Sequence, residues 1–196
     1  MTIMDEMFTF RKNALLANLC DEWNAQWRAC GNDKEKLMKL VLSQQAAPYF
    51  ADFCYRGKGL TKEYCLDEFG DFINGRTFND CDGVDGYTYG MFIDVPTDVV
   101  IGLDVAQFLW CSNTNISIEK TKGTKLYISN KSDVHLSCDG YNSIVVMLFD
   151  ESVVYLDDVD EESRITIYRY SKEAIVKEGK YCLSKNIKIF DKELRL

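Results

Sequence analysis

Residues 130–136 read NKSDVHL, 140–146 GYNSIVV, 150–156 DESVVYL and 161–167 EESRITI, and in each a small or polar residue precedes an aliphatic or β-branched pair. The anchors Ser132, Asn142, Ser152 and Ser163 are spaced by 10, 10 and 11 residues, and Ala174 in KEAIVKE (172–178) continues at 11. This is an internal repeat. A strand of three to five residues followed by a polar corner cannot bury its apolar face alone, whereas stacked coils share one narrow core. The pattern predicts a C-terminal parallel β-solenoid over 97–196, with small residues where the chain bends and side chains alternating in and out. Earlier pairs, Leu109/Cys111, Ile116/Ile118 and Leu126/Ile128, extend the same spacing, and no proline follows Pro96 to interrupt a ladder. An antiparallel β-sandwich also yields short strands every 8 to 12 residues and stands as the alternative.

Upstream the period changes to that of helices. Leu15, Leu19, Trp23 and Trp27 fall four apart between Arg11 and Ala29, giving one apolar stripe, and Cys30-Gly31-Asn32 ends it. Asn32 or Asp33 caps a second helix, Pro48 opens a third that buries Tyr49, Phe50, Phe53 and Cys54, and Thr61 caps a fourth that stops at Asn74-Gly75. Residues 1–75 therefore form a helical bundle, and the tryptophans belong to its core rather than to a ligand cage.

Residues 78–90, FNDCDGVDGYTYG, bring three aspartates near three glycines. Counted from Asp80, a calcium loop of the EF-hand type requires an oxygen ligand where Val84 stands, glycine where Asp85 stands and glutamate where Met91 stands. Tyr87, Tyr89, Met91, Ile93 and Val95 then alternate as in a strand, so 76–96 reads as a β-hairpin that connects the two larger units.

Thirty-one acidic against 23 basic residues give a net charge of -8, which disfavours direct binding to phosphate backbones. The opening MTIMDEMFTFRKN is no secretory signal and no apolar run spans a membrane, so we expect a cytoplasmic protein with no membrane partner. The eight cysteines contain no CxxC pair and read as small hydrophobes, with neither metal nor cofactor implied. The single histidine, His135, is three residues from Cys138, but in a strand it points away from the inward pair Val134/Leu136, which argues against a catalytic dyad. No phosphate loop, HExxH or GxSxG is present. A run of acids without an intervening lysine or arginine, Asp150, Glu151, Asp157, Asp158, Asp160, Glu161 and Glu162, is the candidate partner-binding surface, able to compete with nucleic acid for a basic groove; its bland reading is a solvated corner.

The stretches FINGRTFNDCDGVDGYTYGMF and IYRYSKEAIV resemble uncharacterised proteins of Bacteroidales phages and mobile elements that carry a helical head and a short solenoid. The resemblance implies a phage setting within a bacterial host and carries over no functional residue. The expectation is a non-enzymatic interaction module, a phage-encoded inhibitor of a host nucleic-acid-handling complex. The alternatives are a virion structural or assembly component, marked by self-association into a homo-oligomer, and a carboxylate-dependent enzyme.

Overall fold

The computed structural model describes residues 4–17, 20–43, 46–79, 88–94, 99–101, 105–110, 113–119 and 123–193. Five helices come first: α1 (Met4–Leu16), α2 (Asp21–Cys30), α3 (Lys34–Leu42), α4 (Ala47–Tyr55) and α5 (Lys62–Ile73). Twelve strands follow among the described residues: β1 (Arg76–Asn79), β2 (Thr88–Ile93), β3 (Val99–Ile101), β4 (Val105–Trp110), β5 (Asn113–Glu119), β6 (Thr124–Ile128), β7 (Asp133–Asp139), β8 (Ser143–Leu148), β9 (Val153–Val159), β10 (Arg164–Arg169), β11 (Ile175–Cys182) and β12 (Asn186–Asp191).

The chain is a parallel β-solenoid with a helical head. Odd strands form a five-stranded sheet in the order β11-β9-β7-β5-β3, and β1-β2-β4-β6-β8-β10-β12 form a seven-stranded one. Only β1 with β2 is antiparallel; each of the other described ladders is parallel, which removes the sandwich alternative. Each coil thus contributes one strand to each sheet. Register partners such as Val134 and Val154, or Ile165 and Ile187, are 20 to 22 residues apart, so one coil comprises two of the sequence repeats. β2 already lies in the seven-stranded sheet beside β4, so the hairpin is that sheet's first rung as well as a connector.

The inward pairs build the core. Val134, Leu136, Ile144, Val146, Val154, Leu156, Ile165 and Ile167 are all essentially inaccessible, joined by Cys138, Leu148 and Val159. The anchors sit at the two corners and are buried as well, Ser132, Asn142, Ser152 and Ser163 completely so. A buried hydroxyl or amide without a partner would cost stability, and the corners supply partners. Ser152 Oγ accepts from the Ser132 amide (3.0 Å) and donates to Asp150 Oδ1 (2.6 Å). At the opposite corner Ser163 Oγ donates to the Gly140 carbonyl (2.7 Å), Asn142 Nδ2 to the Asp139 carbonyl (3.0 Å) and Ser184 Oγ to the Ser163 carbonyl (2.6 Å). Ser132, Ser152 and Ala174 stack at one corner, and Asn142, Ser163 and Ser184 at the other.

The head departs from its sequence reading in two ways. The stripe expected from Arg11 to Ala29 is broken between α1 and α2, where Cys20 is extended (φ -63, ψ 155). The break lets α1 fold back so that Phe10 meets Trp23, Trp27, Phe50 and Phe53 at centroid distances of 5.4 to 6.2 Å. The buried face of α1 is consequently Met7, Phe10 and Ala14, while Leu15 and Leu16 are exposed. Tyr49, expected inside, is exposed too, whereas Phe50 and Phe53 are buried. The caps hold: Asp33 accepts from the Lys36 amide (3.1 Å), Thr61 accepts from the Tyr64 amide (3.2 Å), and Gly75 adopts φ 71 beyond α5.

The head packs along the outer face of the seven-stranded sheet. Met91, Ile93, Tyr127 and Phe149 belong to the head's hydrophobic core, with Met147 and Tyr170 against it. The intervening Phe92 belongs to the solenoid core, so β2 is buried on both faces. Asn74 fixes the docking with its side chain, accepting from the Ile93 amide (2.7 Å) and donating to the Ile93 carbonyl (2.8 Å). Lys62 pairs with Asp94 at 2.5 Å beside it.

Removing one corner hydroxyl tests this arrangement. Ser152→Ala leaves the buried Ser132 amide without its acceptor and is expected to cost about 1–3 kcal/mol in urea unfolding, with the m-value unchanged. A loss below a few tenths of a kcal/mol would show that the corner bond is dispensable.

Candidate interaction surface

With the head on one sheet, the outer face of the five-stranded sheet is the solenoid's open side. Its described residues alternate as the pleat requires: Asp133, His135 and Ser137 of β7 point outward, between inward Val134, Leu136 and Cys138. Neighbouring coils place Tyr155 beside His135 and Lys177 beside Tyr155. The imidazole stacks on the phenol ring at 4.3 Å with 2° between planes, and the Lys177 ammonium lies 4.7 Å from the same ring and donates to the phenol oxygen (3.2 Å). The result is a rigid ladder of three flat or cationic groups.

A bulge brings a carboxylate to this ladder. Register runs from Leu136/Leu156 to Ser137/Asp158, so Asp157 is the extra residue of β9. Its Oδ2 accepts from His135 Nδ1 at 2.6 Å. The next coil accommodates the bulge with Gly179, where a Cβ would stand 3.0 Å from the backbone of Asp157 and Leu156.

His135 and Cys138 do not meet, because they project from opposite faces of β7, as their spacing predicts. Cys138 is buried among the inward pairs, and its thiol is pushed up to about 12 by burial, with Cys182 and Asp158 adding to the effect. Burial likewise raises Cys65 well above an ordinary thiol. All six described cysteines are free. Among the described residues no cluster of three or more His, Cys, Asp or Glu is placed to hold a metal. Asp80, Asp82 and Asp85 lie outside the described residues. Two open grooves of about 390 and 350 Å³ lie along α1, the first lined by Phe8, Arg11, Lys12, Leu15 and Leu16, and neither includes the ladder.

The seven candidate acids fall into three places. Asp150 and Glu151 occupy the first corner, where Asp150 accepts from the amides of Asn130 and Lys131 (3.0 Å to the latter) and Glu151 pairs with Lys131 (3.0 Å). Asn130 and Lys131 both have positive φ, and the Asp150 carboxylate holds their amides in that bend. Asp157 and Asp158 lie on the open sheet. Asp160, Glu161 and Glu162 form the second corner, roughly 23 Å from the first along a seven-residue strand. There Asp160 caps the turn by accepting from the Glu162 amide (2.9 Å). Asp150, Glu151, Asp157 and Asp160 thus have intramolecular partners, and Asp158, Glu161 and Glu162 have no basic partner among the described residues.

The topology adds acids that sequence spacing did not single out. Asp139, exposed at the end of β7, is the register partner of Glu119 in β5, and the next rung is Asp160, whose amide donates to the neighbouring Cys138 carbonyl (3.0 Å). Glu119, Asp139 and Asp160 thus occupy matching positions on three successive strands, whose backbones are about 4.8 Å apart. The clue was in the repeat: twice its period carries Asp139 to Asp160 and His135 to Tyr155.

No helix among the described residues is long and apolar enough to cross a membrane. No protein-family model, curated protein or solved structure matches the chain.

Thiol labelling tests the inward placement of Cys138. In the folded protein at pH 8, exposed Cys20 is expected to react with a maleimide at least about a hundredfold faster than Cys65 or Cys138, as read by peptide mapping. Equal rates would place Cys138 on the outer face, next to His135.

Proposed function

We propose that the protein is a non-enzymatic interaction module whose acidic corner and adjoining open sheet enter the basic, nucleic-acid-binding groove of a protein partner. The observation that carries this reading is the acidic row itself: Glu119 and Asp139 are direct register partners, Asp160 continues the row, and Asp158, Glu161 and Glu162 flank it. Like charges opposed across a ladder destabilise a sheet, and no lysine or arginine among the described residues bridges Asp139, Asp158, Glu161 or Glu162. A local cost that nothing in the core offsets is the pattern of a surface kept for binding. The net charge of -8 reinforces attraction toward a basic partner and repels nucleic acid from the same surface.

The scaffold suits that task. Parallel ladders hold the corner backbone, so docking orders few side chains and little entropy is lost. His135, Tyr155 and Lys177 give the adjoining sheet a flat amphipathic strip, the kind of surface through which an interface gains specificity. In the phage setting that the sequence resemblance implies, such a module acts as an inhibitor of a host nucleic-acid-handling complex.

Changing Asp139, Asp158, Glu161 and Glu162 together to serine tests the reading. Melting is expected to stay within about two degrees of the parent or to rise, because exposed charges contribute little and here oppose one another. Association with a partner captured from bacterial lysate is expected to slow at least about tenfold at low salt, and a polyanion such as heparin is expected to displace the parent. Capture of the same partner at an unchanged rate, or indifference to heparin, would reduce the acidic row to a solvated corner.

A further inference from the structure

We propose that the last coil is a homodimer interface, in which two chains meet end to end about a two-fold axis and continue both sheets through antiparallel β11–β11 and β12–β12 pairing. β11 and β12 are the terminal strands of their sheets, and among the described residues no further strand pairs with the outer edge of either, so each presents a row of backbone donors and acceptors there. The coil also leaves its apolar residues uncovered. Val176, Cys182 and Ile187 face the solenoid core yet are only partly buried, and Ile175, Tyr181, Leu183, Ile189 and Phe190 are exposed by 43 to 62%.

The pattern of β11 selects a second copy of this chain as the occupant. Residues 175–183 read IVKEGKYCL and are chemically palindromic about Gly179. Antiparallel pairing centred there sets Ile175 against Leu183 of the other copy, Val176 against Cys182, Lys177 against Tyr181 and Glu178 against Lys180, each twice. The faces agree. Val176 and Cys182 both point inward, and Ile175, Lys177, Tyr181 and Leu183 all point outward. Aliphatic thus meets aliphatic, cation meets aromatic ring, and carboxylate meets ammonium. The irregularity between Glu178 and Tyr181 lies at the centre of the palindrome, so the outer pairs keep their register on either side of it.

The other sheet fits the same axis. Gly179 and Ile189 are each five residues from the buried corner residue Ser184, which puts Ile189 across the coil from Gly179. A two-fold through Ile189 opposes the two Ile189 side chains and sets Lys188 against Phe190 of the other copy, again twice. Phe190 already stacks on Tyr168 at 5.7 Å, so its ring is held for that contact. An isologous interface must be self-complementary, and both edges of this coil are.

Light scattering and disulfide trapping on the full chain test the proposal. The parent is expected to show twice the 22.6 kDa chain mass. Ile189→Cys is expected to form a linked dimer under mild oxidation at least about tenfold faster than Lys188→Cys, whose two copies are about 8 Å apart in this register and beyond disulfide reach. Leu183→Lys, on the outer face where folding does not depend on it, is expected to raise the dissociation constant at least about tenfold, with circular dichroism unchanged. A parent that stays monomeric at about 100 µM overturns the proposal, as does a dimer trapped as readily through residue 188 or one that keeps its affinity with Leu183→Lys.

Discussion

A coil that closes in 20 to 22 residues has room at its two corners only for side chains that are small or that bond to the backbone bending around them, and everything else in this protein depends on that constraint. Ser132, Ser152 and Ala174 meet it at one corner, and Asn142, Ser163 and Ser184 at the other. With the corners tight, the two sheets approach closely enough for a single layer of inward aliphatics to fill the space between them. Hydrogen bonds such as that from the Ser132 amide to Ser152 also run between coils, so the corner that shapes one turn fixes its neighbour.

That rigidity gives the two outer faces different fates. The seven-stranded sheet carries Met91, Ile93, Tyr127 and Phe149 outward, and the helical head covers them, with Phe10 as the hub of its own aromatic core. The five-stranded sheet carries Asp133, His135, Tyr155, Asp157 and Lys177 outward, residues that tolerate water. The position of the head therefore decides which side of the solenoid is available to a partner. At the bulge at Asp157 the regular ladder yields and brings a carboxylate onto the histidine.

The solenoid was legible because its anchors recur at nearly constant spacing and its inward pairs alternate, both local properties of the chain. The number of strands per coil was not, because one strand and corner look alike whether two or three complete a turn. With the coil unknown, the acids from Asp150 to Glu162 read as one run, although the corners divide them and give Asp150, Asp157 and Asp160 intramolecular roles. Asp139 joined the row only once the register was known. In the head, caps at Asp33 and Thr61 were readable from single residues, whereas the break before α2 depends on Phe10 reaching Trp23 across a turn, a tertiary contact that overrides the four-residue stripe.

Site-specific photocrosslinking tests the central claim most directly, because it asks which surface a partner touches. A benzophenone amino acid at Glu161, in the acidic corner, is expected to capture a basic protein from bacterial lysate at low salt, and the adduct is expected to disappear as salt rises. The same group at Lys12, on the head, is expected to capture nothing in common with it. Adducts from Lys12 that match or replace those from Glu161 would contradict the account and move the working surface to the helices.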